Sequence, residues 1–135
     1  MIVLSDTPKQ DILTFVKQWM QLLADTHLQQ ACALLDMPND DDMMWTPELL
    51  RHVIVTTFDP QSRFYDIHPE GPIVTDPEQL PEQCSHALVA LVNSEGYQFD
   101  YDLPLNGAWS DLTAPFIFYK HGQGYVVVLH DLHVL

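Results

Sequence analysis

Apolar residues at Ile12, Phe15, Val16, Trp19, Leu22 and Leu23 recur at spacings of mostly three and four, the period that gathers them on one face of a helix. Ahead of them Thr7 can cap and Pro8 takes the first helical position. Gln10, three residues after the cap, completes a capping-box pattern. A second helix restarts at Asp25 or Thr26 and runs through Leu28, Ala31, Cys32, Leu34 and Leu35. Met37-Pro38-Asn39 ends it, because the residue before a proline is pushed out of helical geometry. Thr46-Pro47-Glu48 opens a third helix, with Leu49, Leu50, Val53 and Ile54 on its buried side.

Further along, the period changes. His86–Val92 is a nearly continuous apolar run, closed by a turn at Asn93-Ser94-Glu95-Gly96. Tyr97, Phe99, Tyr101, Leu103 and Leu105 then alternate with polar residues, the two-residue period of a strand with one face buried. Asn106-Gly107 is a turn pair that favours positive φ. A third strand follows at about Trp109–Lys120, and His121-Gly122-Gln123-Gly124 turns the chain into a fourth at Tyr125–Val134. The fold class is therefore α+β, with N-terminal helices packed on an antiparallel meander of four or more strands. One domain is expected over 1–135: a helical part at about 6–56, a connector at 59–83 and a sheet at about 85–135. The connector holds five of the ten prolines and one short expected strand at Arg63–Ile67.

Charge changes this picture. Five basic residues against nineteen acidic ones give a net charge of −14, which speaks against nucleic acid and against an anionic membrane surface as partners. Between Arg63 and Lys120 there is no base, while Asp66, Glu70, Asp76, Glu78, Glu82, Glu95, Asp100, Asp102 and Asp111 all fall there. A basic protein partner fits such a surface. The opening MIVLSDTPKQ lacks the pattern of a signal peptide, and no apolar run approaches a membrane span, so a cytoplasmic location is expected.

Two amphipathic helices, a connector and a long antiparallel sheet resemble the NTF2-like (cystatin-like α+β) architecture, in which helices close a cone-shaped sheet. The segments 15–25 and 31–36 are similar to the opening of many such domains. The stretches Asn106-Gly-Ala-Trp-Ser-Asp-Leu-Thr-Ala114 and His130-Asp-Leu-His-Val-Leu135 resemble the ending of an uncharacterised bacterial family associated with NTF2-like and toxin-immunity proteins. The resemblance implies a curved sheet, a cone able to hold a small apolar ligand, and a homodimer formed through the outer sheet face. It implies no particular activity, because this fold carries isomerases, dehydratases, transport factors and pure binding modules.

Candidate chemistry gathers near the C-terminal end, at Asp111, His130, Asp131 and His133. An Asp–His pair there is a general acid or base, with Tyr101 or Tyr97 available to polarise a carbonyl. With a two-residue loop after His121, Asp131 lies opposite Ala114 and His133 opposite Leu112; a single bulge exchanges those faces. Asp131 and His133 also begin a metal set, with Asp111 or His121 as further ligands, but two residues fall short of the three or four that zinc needs. No metal or cofactor is expected. Trp109, Asp100, Asp102 and Glu95 are the candidates for contact with a partner. Ser110 and Asp111 read equally as a packing device that bonds nearby backbone.

Several motifs are missing. Asn39-Asp40-Asp41-Asp42 lacks the glycine and terminal glutamate of a calcium loop. Cys32 and Cys84 form no zinc or disulfide pattern, and no nucleophile elbow or phosphate loop occurs. A non-catalytic binding module, of the immunity type and directed at a basic protein partner, ranks first. A small-molecule enzyme or carrier is the alternative, and a structural subunit is third.

Overall fold

The computed structural model of the protein describes residues 1–39, 41–82 and 87–134. Asp40, Cys84, the expected strand start at His86, and Leu135 lie outside the described residues. The elements run α1 (Pro8–Ala24), α2 (Leu28–Ala33), α3 (Pro47–Thr56), α4 (Arg63–Ile67), β1 (Leu88–Ala90), β2 (Gly96–Leu105), β3 (Ala108–His121), β4 (Gly124–Leu129) and β5 (His133–Val134). All strand pairs are antiparallel, in the order β1-β2-β3-β4 with β5 also on β3, and the sheet stays open.

The α+β class and the helix-then-sheet order match the sequence reading, and local details differ. Thr7 makes no side-chain cap; Asp11 instead reaches back to accept from Ser5 N at 2.6 Å and Ser5 Oγ at 2.7 Å. Thr46 does cap α3, accepting from Leu49 N at 3.1 Å. Residues 63–67 form the short helix α4 where a strand was expected. Its side chains explain the change: Phe64 stacks on Phe58 at 4.2 Å and the Tyr65 hydroxyl donates to Val55 O at 3.0 Å. Both contacts hold α4 to the end of α3.

The buried face of α1 seats on the inner face of β2 and β3. Trp19 meets Phe116 edge-on at 5.2 Å, and Phe15 meets Phe116 and Phe118 the same way. Trp19, Phe99, Phe116 and Phe118 are wholly buried. The Trp19 indole donates to Ala31 O at 3.1 Å, tying α2 to α1.

Two bulges shape β3 and its neighbours. Asp102 pairs Thr113 but Pro104 pairs Trp109, so Leu103 alone faces Ser110, Asp111 and Leu112. The Ser110 hydroxyl bridges this gap, donating to Leu103 O at 2.7 Å and accepting from Leu112 N at 3.2 Å. After the two-residue loop, β4 pairs β3 with Phe116 opposite Leu129. The chain then slips by one, and His133 pairs Thr113 rather than Leu112. The expected fourth strand is thus two strands separated by residues 130–132.

Asn106 organises the connector. It takes φ 53° at the turn, and its side chain accepts from Ile73 N at 2.9 Å and donates to Glu70 Oε1 at 3.0 Å and Gly71 O at 3.1 Å. Thr75 N donates to Pro104 O at 2.8 Å, so residues 73–75 close part of the β2 edge. Asn106→Gly keeps the backbone conformation and removes all three side-chain bonds. It should cost about 1–3 kcal/mol in urea unfolding, and Asn106→Asp, which sets a carboxylate against Glu70, should be no better than Asn106→Gly.

Candidate functional site

The C-terminal cluster is only partly assembled. His133 Nδ1 and Asp131 Oδ1 lie 2.5 Å apart, and both side chains are close to half exposed. The one-residue slip after Leu129 makes this possible, since it sets His133 beside Thr113 on β3. Thr113, almost fully buried, donates its hydroxyl to Asp102 Oδ1 at 2.9 Å. A short polar row therefore crosses the sheet from Asp102 through Thr113 to His133 and Asp131, on the face opposite the helices. In such a pair the carboxylate can orient the imidazole for proton transfer.

His130 is held through its backbone, with its N–H on Pro115 O at 2.9 Å and its carbonyl taking Asn39 Nδ2 at 2.9 Å. Asp111 stands elsewhere, exposed on the bulge of β3. Tyr101 is on the opposite, helix-covered face, 1% exposed, between Phe99 and Trp109. Asp111, Tyr101 and the Asp131–His133 pair occupy three different places. Among the described residues, no group of three His, Cys, Asp or Glu side chains is placed to hold a metal ion.

The candidates for partner contact fare differently. Glu95 and Asp100 are exposed, at the turn before β2 and on its outer face. Asp102 is half-buried and engaged with Thr113. Trp109 is half-buried, its indole donating to Pro81 O at 2.9 Å. Sequence reasoning missed an open groove of about 450 Å3 at this end of the sheet. It is lined by Phe58, Phe64, Trp109, Arg63 and Asp111. Its signal lay in the Phe58 to Phe64 spacing, which only acquires meaning once α4 is a helix.

Burial pushes the Cys32 thiol up, with Glu48 adding to the effect, which keeps it protonated and unreactive. Among the described residues, no helix is long and apolar enough to cross a membrane. Comparison with models of known families, with curated proteins and with solved structures found no match to this chain.

Burial is also the main reason that the Tyr101 hydroxyl is pushed up to about 12, with Glu82, Glu78 and Asp102 adding to it. A tyrosine ordinarily ionises near pH 10. Because the folded state raises this value, the contribution of Tyr101 to stability is complete below about pH 10 and is lost as the pH climbs towards 12. Absorbance at 295 nm should show a late-ionising tyrosine in the folded protein, and Tyr101→Phe should remove that component alone.

Proposed function

We propose that the protein is a non-catalytic binding module of NTF2-like type that covers a basic protein partner, in the manner of an immunity protein. One observation carries the reading: Asp66, Glu95, Asp100 and Asp111 are exposed, and none forms an ion pair among the described residues. All four fall within the base-free span 64–119. Uncompensated carboxylates at this density raise a negative field that speeds encounter with a basic surface.

The filled interior supports the same reading. Trp19, Phe99 and Phe116 occupy the region between α1 and the sheet where a cone would hold a small ligand. Helices on one face of an antiparallel sheet support the NTF2-like part of the proposal. The outer face is also the one through which the resemblance implies a homodimer, so a dimer and a partner complex compete for it. A second reading, general acid–base catalysis at the surface, is favoured by the Asp131–His133 pair alone.

Capture from native lysate, with partners identified by mass spectrometry, tests the first reading. The expected partner is basic and is released by raising salt from about 0.1 M to about 0.5 M, where screening shortens the reach of exposed charges. Glu95→Lys combined with Asp100→Lys should weaken the purified complex by about tenfold or more. A partner held unchanged at high salt and by the double variant contradicts the proposal. Sedimentation of the partner-bound protein should show one copy of this chain per partner, and His133→Gln should leave that binding intact.

A further inference from the structure

The open groove between α4 and the β3 bulge has three features that the fold does not use. Its volume of about 450 Å3 falls in the range of roughly 300–1,000 Å3 typical of ligand sites. Ser62 is among the lining residues, and its Oγ is buried with no hydrogen-bond partner, an arrangement that native structures seldom leave unexplained. Arg63 and Asp111 both line the groove, and neither is in an ion pair among the described residues.

The rings give the groove its apolar body. Phe64 stacks with Phe58, their planes 4° apart, and Trp109 lies on the facing strand β3 with its ring fixed by Pro81 O. Phe58, Phe64 and Trp109 offer surface to a flat cation or an alkyl chain. The surroundings are acidic: Asp111 lines the groove and Asp59, Asp66 and Glu70 are exposed along residues 59–70 beside it, against Arg63 and His68 among the lining residues. A free anion is disfavoured there, and a cation is favoured.

We infer that this groove takes an arginine or lysine side chain from an extended segment of the basic partner. Resting on the binding-module reading, the assignment names the anchor at which that partner is recognised. The basic side chain crosses the rings to the Asp111 carboxylate, where a charge-assisted bond forms. Arg63, a donor, takes a carbonyl oxygen of the same segment. That division of roles accounts for the presence of both charges in one groove. Anchors of this kind, an arginine set among aromatic rings and excluded from water, dominate many protein interfaces.

Blocked tripeptides, acetyl-Gly-Arg-Gly-amide and the matching Leu and Glu peptides, test the inference by 1H–15N NMR on the full chain. The Trp109 indole signal is identified by its loss in Trp109→Phe. The Arg peptide should shift that signal, and the amides of residues 62–64 and 109–111, with an affinity on the order of millimolar. Asp111→Asn should weaken it by about fivefold or more. The Leu peptide should bind more weakly, and the Glu peptide should not bind. Preference for the Glu peptide, shifts confined to other regions, or an unchanged affinity in Asp111→Asn each overturn the inference. Glu95→Lys with Asp100→Lys should not alter tripeptide binding. Failure of the groove therefore shows in the peptide titration, and failure of the binding-module reading shows in the partner complex.

Discussion

Strand β3 is the constraint on which the rest depends. It pairs with β2, β4 and β5 and presents Leu112, Ala114, Phe116 and Phe118 as a buried inner face. That face can leave water only if a helix covers it, and α1 does so with Phe15 and Trp19. Edge-on aromatic pairs of this kind contribute about 0.5–1.5 kcal/mol each beyond the area they bury. Placing rings here fixes the helices on one side and leaves the other side of the sheet to Asp100, Asp102, Thr113 and His133. The candidate surface chemistry follows from that division.

An antiparallel sheet must also satisfy its edges. On β4 the work falls to side chains from the chain between α2 and α3. Asp36 exchanges bonds with Val127 at 2.8 Å each way, and the Trp45 indole donates to Leu129 O at 2.9 Å. Asn39 then takes the His130 carbonyl. With these groups engaged, β4 is closed to edge pairing, while the outer face and the groove beside α4 stay uncovered. The clasp of Asn106 on residues 70–73 does the same for the far end of β2. It also sets α4 and Trp109 on opposite sides of the groove.

How much of this was legible depended on how local each cause is. The Thr46-Pro47 helix start, the alternation from Tyr97 to Leu105 and the Asn106-Gly107 turn act within a few residues, and all three were readable. The α4 helix was not, because five residues have little helical preference of their own and are held by Phe58 and Val55. The slip after Leu129 was not either; it depends on Asn39 and Pro115 fixing His130. That slip decided which residue faced Thr113, so the sequence names the Asp131–His133 pair but does not place it. Asp36 gave no sign of its role, since an exposed aspartate near a helix end looks like any other solvated acid.

Closure of the interior and exposure of acidic side chains on the outer face go together: rings gathered on one face of β3 leave polar residues such as Asp100 and Asp102 on the other. Phe116 is the ring that touches both Phe15 and Trp19, so Phe116→Ala tests this arrangement most directly. Chemical denaturation followed by both far-ultraviolet circular dichroism and tryptophan fluorescence should lose about 3–5 kcal/mol, with the two signals melting together. A loss below about 1 kcal/mol, or helices that melt apart from the sheet, contradicts the account.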